Sequence, residues 1–319
     1  METLRLAAYQ PGDERDLAAV LNAAYGTLRE LPRLDVEGDE HPDLRPDDLA
    51  PALAEGRLWP AGSVVARMAG TPVTAALMEL DADAQRGVVR RLGTHPAHWG
   101  RGCAREVLRA VEAAARQAGV KRLEVAHAVD SRRPAGSRLL EHHGFARPNP
   151  EGEHITMVLD LEAYQPLAPT LPAGYTIRSF RRGEEPRWVA LKNRVFDDGA
   201  TVEWFAQRFG NLPNFDPASW FIAERRGEWV GMASVITWYD DGALARPRGA
   251  VIEWVGVVEE ERGRGLGEGL MRTCLNVAHA SRPWPLILIT QPFRQPAVAL
   301  YRKLGFEIAR EHRVYAKNL

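Results

Sequence analysis

One arrangement of strands, helices and glycines occurs twice in this chain, with about 160 residues between equivalent features. Each half opens with a short apolar strand that is followed by an amphipathic helix. These segments are residues 4–7 and 14–25 in the first half, and 175–178 and 185–196 in the second. A repeat this long is the size of a whole domain, whereas solenoids repeat every 20–50 residues. The chain is therefore predicted to be a duplicated domain.

The matching features continue in the same order through each half. A predicted β-hairpin is followed by an apolar strand, a glycine-rich turn, a helix, a second strand-helix unit that ends in Gly-Phe, and a closing strand. The hairpins are at 64–73 and 221–230, the turns at 100–104 and 263–267, the Gly-Phe pairs at 144–145 and 305–306, and the closing strands at 155–161 and 313–317. Strands that alternate with helices predict an α/β fold, with a mixed sheet flanked by helices in each half.

A proline-rich segment separates the two halves. Pro166, Pro169 and Pro172 remove backbone donors and favour an extended, semi-rigid path. The predicted division is a first domain of residues 1–164, a linker of residues 165–174 and a second domain of residues 175–319. A length of 319 residues suits two domains better than one core.

Composition limits the classes of partner. The 41 Lys and Arg nearly balance the 42 Asp and Glu, which gives a formal net charge of −1 and does not favour nucleic acid as a partner. Two cysteines, with no Cys-x-x-Cys, do not favour disulfides or a metal site. The sequence has neither a signal-peptide pattern nor an apolar run of about 20 residues. We expect a cytoplasmic protein without metal or membrane association.

The second half contains the sequence pattern of an anion site. An apolar strand over 250–258 leads into a turn with alternating glycines and then into a helix, where Leu266, Leu270, Cys274 and Val277 are predicted to share one face. The glycines let the backbone approach a phosphate, and the first helical N–H groups and the helix dipole favour negative charge. The turn contains Arg262, Gly263, Arg264, Gly265, Leu266 and Gly267.

Three other interpretations of this turn are open. Its glycines could serve backbone geometry alone at a tight helix entry. A dinucleotide site is disfavoured because the spacing is not Gly-x-Gly-x-x-Gly, and a Walker loop is disfavoured because Gly-Lys-Ser/Thr is missing. Three alternating glycines between arginines favour the phosphate site over the bare turn.

Two segments resemble the GNAT family of N-acetyltransferases. Arg262-x-x-Gly265-x-Gly267 is similar to the family's first signature, and 297–306, Ala-Val-Ala-Leu-Tyr-Arg-Lys-Leu-Gly-Phe, is similar to its second. The resemblance spans roughly residues 175–319. It implies acetyl-CoA as co-substrate and a sheet splayed between its fourth and fifth strands. It also implies that the pyrophosphate lies on 262–267 and that backbone N–H groups near Val257 and Val258 hold the thioester. Where many relatives have Asn, Arg294 is expected to reach a phosphate instead.

Glu253 and Tyr301 are the candidate catalytic residues. The resemblance implies that Glu253 is the base that takes a proton from the acceptor amine and that Tyr301 is the acid. Strand alternation predicts that Glu253, Val255 and Val257 share a face. The alternatives are an idle carboxylate at a strand end and a packed helix aromatic.

The first half is predicted to be a degraded copy. Its turn keeps Gly-x-Gly-x-Ala, but Trp99 replaces the expected Arg or Gln, Leu140 replaces the phenol, and Arg90 replaces the carboxylate. A cation cannot act as the base. The turn is a candidate second cofactor site that binds weakly or not at all. Its residues are Thr94, His95, Gly100, Arg101, Gly102, Cys103 and Ala104.

The leading function is acetyl transfer from acetyl-CoA to a primary amine of a small molecule. The tandem arrangement resembles the mycothiol synthase branch of the family, which acetylates a cysteinyl glycoside; aminoglycosides and amino acids are other acceptors. A non-catalytic acyl-CoA sensor and an acetyltransferase for protein or tRNA amines are the alternatives from other classes. A monomer or a homodimer is expected.

Overall fold

The computed structural model describes residues 3–29, 43–125, 134–148, 152–211, 215–239, 247–283 and 285–319. The strands, in chain order, are β1 Leu4–Ala8, β2 Val64–Met68, β3 Thr71–Asp81, β4 Arg86–Thr94, β5 Arg122–Val125, β6 His154–Leu159, β7 Tyr175–Ser179, β8 Trp220–Arg225, β9 Glu228–Tyr239, β10 Pro247–Val257, β11 Leu286–Thr290, β12 Glu307–His312 and β13 Tyr315–Asn318. The helices are α1 Glu14–Arg29, α2 Pro46–Ala54, α3 Cys103–Gln117, α4 Pro134–His142, α5 Glu185–Phe196, α6 Val202–Phe205, α7 Leu266–Ser281 and α8 Gln295–Lys303.

The chain forms two compact units, each built on its own mixed sheet. The described residues of 1–154, 291–293 and 310–319 form the first unit, and those of 155–290 and 294–309 form the second. This confirms the α/β class and the two-domain architecture that the repeat predicts.

The first unit has a six-stranded sheet in the order β1-β2-β3-β4-β5-β13. Neighbouring strands are antiparallel except β4 and β5, which pair in parallel through the α3 connection. One apolar cluster packs α3 and α4 against strands β2 to β5. A second apolar cluster packs α1 and α2 against β2 and β3.

The second unit has a seven-stranded sheet in the order β12-β6-β11-β10-β9-β8-β7. Here β10 and β11 are the parallel pair, connected by α7. A single apolar core contains the buried faces of α5, α7 and α8 with Trp188, Trp220 and Trp229, and Trp204 and Trp254 pack against it. Trp188 and Trp220 are among its largest fully buried side chains.

The closing strand of each half pairs with the sheet of the other half in the chain. β6, which ends the first half, lies antiparallel to β11, with Leu288 opposite Met157. β13, which ends the second half, lies antiparallel to β5, with Ala316 opposite Glu124. The two compact units are therefore not contiguous in sequence. The division at residues 165–174 concerns where the two sequence repeats meet, and it stays a prediction.

The buried face of α7 differs by one position from the predicted face. Leu266, Leu270 and Cys274 are buried as expected, but Val277 is 37% exposed and Ala278 is buried instead. Three turns of an ideal helix span about 11 residues, which favours Val277, but the buried residues instead continue the i, i+4 series of Leu270 and Cys274 to Ala278. In the described part of the chain, none of the helices is long and apolar enough to cross a membrane.

Candidate active site

The sheet of the second unit opens between β10 and β11. Parallel pairing runs from Ala250 opposite Leu286 to Ile252 opposite Leu288 and stops there. Both strands continue, β10 to Val257 and β11 to Thr290. Glu253 is the first residue of β10 beyond the last pair, so the candidate base lies where the strands separate.

A β-bulge in β10 begins at Glu253. Glu253 lies opposite Ser234 of β9, whereas Gly256 lies opposite Met232, so two residues of β10 stand against one of β9. Trp254 within the bulge has a φ of 56°, which is unusual for a side chain of this size. A bulge adds a residue to one strand and breaks the alternation of its faces.

The bulge overturns the predicted face of Glu253. Ser234 and Met232 are two residues apart on β9, so their partners Glu253 and Gly256 share a face. Val257 lies opposite Gly231 and is therefore on the other face of the sheet from Glu253. Simple alternation predicted the same face for both residues. Alternation fails as a prediction here because the extra residue cannot be read from the apolar pattern of the strand.

The face that holds Glu253 is covered by α5. A Cβ placed on Gly256 would lie 2.2 Å from Cγ1 of Val195 and 3.0 Å from the Phe196 ring. Glycine is therefore required at 256 by close approach of the helix. On the opposite face, a Cβ on Gly231 would lie 3.1 Å from Leu270 of α7. Glu253 thus lies on the α5 side of the sheet, and its carbonyl accepts a bond from Ser234 Oγ at 3.1 Å.

The glycine-rich turn has the backbone of an anion cradle. Gly263 has a φ of 75° and Gly265, the N-cap of α7, has a φ of 83°. Among the described residues, no heavy atom comes within 4 Å of a Cβ built on either glycine. Glycine is needed here because the backbone is left-handed, and not because a side chain would clash with its neighbours. The open space lies at the N-terminus of a 16-residue helix, where backbone N–H groups and the helix dipole favour a phosphate.

Glu261 holds one of the arginines of the turn, and sequence reasoning missed this residue. Its carboxylate lies 3.0 Å from Arg264 Nε and 2.7 Å from Arg225 Nη1, and accepts a bond from the Tyr175 hydroxyl. The Tyr175 bond and the Arg225 bond lower the pKa of Glu261. The charge of Arg264 is therefore partly compensated, while Tyr175 and Arg225 link Glu261 to β7 and β8.

The backbone groups of Val257 and Val258 differ in orientation. The Val258 N–H donates to the Val230 carbonyl at 2.9 Å, so the sheet already uses this donor. Because hydrogen-bonded and non-hydrogen-bonded positions alternate in an antiparallel pair, the Val257 N–H points away from β9, towards the gap beside β11. The Val257 carbonyl accepts a bond from Arg262 Nε at 3.1 Å. Of the two predicted backbone donors, Val257 is the one oriented for a ligand.

Tyr301 lies within α8 and is only 6% exposed. Burial raises the pKa of its phenol to about 12, while the charge of Arg294 acts to lower it. The phenol therefore stays protonated at neutral pH, so it can serve as an acid or a hydrogen-bond donor but not as a base. Arg294 directly precedes α8. Besides its predicted contact with a phosphate, its charge therefore also acts on the pKa of Tyr301.

The turn of the first unit reproduces the cradle closely. Gly100 and Gly102 have φ values of 77° and 80°, and Gly102 is the N-cap of α3 as Gly265 is of α7. Trp99 Nε1 donates to the Thr94 carbonyl at 2.8 Å, which is the counterpart of the bond from Arg262 to Val257. The indole thus replaces the hydrogen bond of the arginine but not its charge.

The remaining residues of the first turn have structural positions. The His95 N–H donates to the Val73 carbonyl at 2.8 Å, as Val258 does to Val230. Cys103 is buried at the first position of α3, Ala104 follows it, and Arg101 is exposed between the two glycines.

The first unit has other side chains at the positions of the two candidate catalytic residues. Arg90 lies 2.7 Å from Glu79 in an ion pair on the surface, and Leu140 is buried at 2% exposure where the second unit has Tyr301. Within the described ranges, no group of three His, Cys, Asp or Glu side chains could hold a metal ion.

Comparison with known proteins agrees with this geometry. Residues 26–145 and 178–306 match the model of the acetyltransferase (GNAT) family. A mycothiol acetyltransferase of Streptomyces bingchenggensis (strain BCW-1) is 32% identical over 252 residues, which cover 71% of each chain. Another, of Saccharomonospora viridis, is 30% identical over 294 residues and covers 88% of this chain and 91% of the relative.

Solved structures agree in fold. A GCN5-related N-acetyltransferase from Sphaerobacter thermophilus aligns with a TM-score of 0.61 at 20% identity, over 99% of this chain and 95% of the other. A tandem GNAT protein from the clavulanic acid biosynthesis pathway aligns with a TM-score of 0.60 at 20% identity, over 99% and 98%. The two matched segments, one in each half, show that the chain belongs to the GNAT family of acetyltransferases, whose members use acetyl-CoA, and is a tandem member of it.

Proposed function

We propose that this enzyme transfers the acetyl group of acetyl-CoA to a primary amine of a small molecule, and that the second unit performs the chemistry. The observation that carries the assignment is the difference between two similar cradles. The second unit has Glu253 in the strand before its cradle and Tyr301 in α8, whereas the first unit has Arg90 and Leu140 at the equivalent positions. The first unit then serves as scaffold and binds acetyl-CoA weakly or not at all.

The second unit fits acetyl-CoA at three places. Gly263 and Gly265 leave open space over the N-terminus of α7 for the pyrophosphate, with Arg262 and Arg264 beside it. Leu266 and Gly267 supply the first helical backbone donors. The gap between β10 and β11 can take the pantetheine arm, and Val257 orients an N–H into it for the thioester carbonyl. When bound, acetyl-CoA supplies an activated acetyl group.

Glu253 and Tyr301 would divide the proton transfers. A protonated amine has no lone pair for attack, so a carboxylate must accept its proton directly or through water. Glu253 has that role at the opening of the sheet. Tyr301 keeps its proton at neutral pH and would donate it to the sulfur as the thiolate leaves.

A cysteinyl glycoside is the acceptor that we favour. Three relatives that cover 71–94% of the chain are named mycothiol acetyltransferases, at 28–32% identity. Amino acids and aminoglycosides are the next choices. Protein or tRNA amines receive less support because the net charge is −1. A monomeric or homodimeric, cytoplasmic enzyme remains our expectation.

A panel of amines tests this proposal. Thiol release from acetyl-CoA is measured with the full chain and a cysteinyl glucosaminide, free amino acids, aminoglycosides or a lysine-rich peptide. We expect the cysteinyl glucosaminide to give the highest kcat/KM, with the acetyl group on its primary amine by mass spectrometry. Tight acetyl-CoA binding without turnover of any amine would instead support a sensor.

Glu253→Gln is expected to lower kcat by about 10²–10⁴-fold, the usual contribution of a general base. The amide keeps the size of the side chain but cannot accept a proton from an ammonium group. The equilibrium Kd for acetyl-CoA should stay within about twofold, because the cradle is elsewhere. Arg90→Gln, at the equivalent position of the first unit, is the matched control and should keep kcat. Equal losses in both variants would contradict the assignment of chemistry to the second unit.

A further inference from the structure

A lysine is buried in the second unit beside the bulge that holds Glu253. Lys192 of α5 is 1% exposed, and its ammonium forms an ion pair with Asp198, whose side chain is 40% exposed. The Nζ atom also lies 4.6 Å from the ring centroid of Trp204 and 4.5 Å from that of Trp254. Burial of an ammonium is unfavourable unless such partners compensate for lost hydration.

The fold alone does not require a charge at this position. The next residue, Asn193, exchanges two hydrogen bonds with the backbone of Ala200, and Asn22 of the first unit does the same with Leu44. Asn193 and Asn22 are therefore at equivalent positions of the two units. The residue before each of them is Lys192 in the second unit and Leu21, a fully buried apolar residue, in the first. An apolar side chain therefore suffices to pack the helix against its sheet, and the ammonium of Lys192 has another role.

Trp254 connects this ammonium to the candidate base. Its backbone has a φ of 56°, a conformation that persists only where the surroundings enforce it. Edge-to-face contacts surround its ring, at centroid distances of 5.8 to 6.2 Å, from Trp188, Phe196, Trp204 and Phe209. Lys192 adds a charge that attracts the ring electrostatically.

We propose that Lys192 is a positioning residue: its ammonium holds Trp254 against α5 and α6, fixes the bulge of β10, and thereby places the carboxylate of Glu253. The proposal rests on the proposed function of Glu253 as base. Peptide bonds join Trp254 directly to Glu253, so a rotation of the bulge changes the direction of the carboxylate. The effect of Lys192 on turnover is expected to pass through geometry and not through contact with substrate.

The first unit offers a matched control. Arg91 occupies the position of Trp254, and its guanidinium lies 5.2 Å from the ring centroid of Tyr25 on α1. Each unit thus has a cation–π contact between its first helix and the strand before its cradle. The helix supplies the cation in the second unit, whereas the strand supplies it in the first. In the first unit the neighbouring residue is Arg90, so loss of this contact should not disturb catalysis.

Lys192→Met and Arg91→Met test the proposal in the full chain. Methionine keeps the length of Lys192 without its charge, and Asp198 can be hydrated when the lysine is gone. For thiol release with acetyl-CoA and the cysteinyl glucosaminide, Lys192→Met should lower kcat by about 10²-fold, the effect of a misplacement of about 1 Å. The KM for acetyl-CoA should stay within about twofold. Lys192→Arg should restore most of the lost kcat, and Arg91→Met should retain the wild-type value.

The outcomes separate this inference from the proposed function. A folded Lys192→Met with wild-type kcat would overturn it, and so would equal losses in Arg91→Met. If the wild type acetylates no amine in the panel, the proposed function fails, and crystal structures of the wild type and Lys192→Met decide on positioning. The inference predicts a displaced Glu253 carboxylate with an altered Trp254 φ, and an unmoved carboxylate contradicts it.

Discussion

Tyr301→Phe is expected to lower kcat by about 10²–10³-fold, the usual contribution of a general acid, while the Kd for acetyl-CoA stays within about twofold. The loss corresponds to about 3–4 kcal/mol of transition-state stabilisation. Phenylalanine keeps the ring and its contact with Phe306, which has a centroid distance of 6.2 Å. The variant therefore removes the hydroxyl without opening a cavity. Single-turnover thiol release separates this effect from product dissociation.

The buried environment of Tyr301 also predicts how kcat changes with pH. With a pKa of about 12, the phenol remains protonated through the accessible alkaline range. The phenol therefore keeps its proton available for the sulfur as negative charge develops there, which is the role of a general acid. After correction for uncatalysed thioester hydrolysis, kcat of the wild type should show no decline from Tyr301 below pH of about 10.

Tyr164→Phe is the matched control for the tyrosine variant. Tyr164 is another buried tyrosine of the second unit, and its hydroxyl donates to Asn276 at 3.1 Å, on the outer side of α7. Loss of this hydroxyl should change stability slightly and leave kcat in place. Unchanged turnover in Tyr301→Phe would show that water or another group protonates the sulfur.

The repeat in the sequence predicted the fold because each half has the same local signals in the same order. The glycine-rich turns, the helix that follows each turn and the apolar strand before it are all local features, and the structure confirms them. The exchange of β6 and β13 could not be predicted in this way. Either closing strand has the same apolar pattern whichever sheet it joins, so only tertiary packing decides the partner.

For the candidate site, the sequence identifies residues whose roles stay predictions, and it does not indicate the geometry around them. Glu253 was identified from its position in a strand, yet the bulge that sets its face depends on Gly256 and on the approach of α5. Likewise, Lys192 and Glu261 have no motif that marks them, because their partners come from other elements of the fold. The charge of Glu261 among three consecutive glutamates was the one visible signal, and it did not indicate a contact with Arg264.

Gly265→Glu is expected to abolish acetyl-CoA binding and, with it, turnover. Glutamate at a φ of 83° is strained by about 1–3 kcal/mol, and its carboxylate would occupy the open space over the N-terminus of α7. There it would repel a pyrophosphate and compete for the same backbone N–H groups. Isothermal titration with acetyl-CoA should show at least a 10²-fold weaker Kd.

Two variants separate strain from the loss of the cradle. Gly227→Glu places the same side chain at a φ of 82° in the β8–β9 hairpin of the same unit, and it should bind acetyl-CoA normally at some cost in Tm. Gly265→Asn, a residue that tolerates the left-handed region, should lose less affinity than Gly265→Glu. If Gly102→Glu in the first unit abolished binding and Gly265→Glu did not, the cofactor would belong to the first cradle. Because the two turns have similar φ values, we assign the chemistry to the second unit from its Glu253 and Tyr301, which the first unit replaces by Arg90 and Leu140.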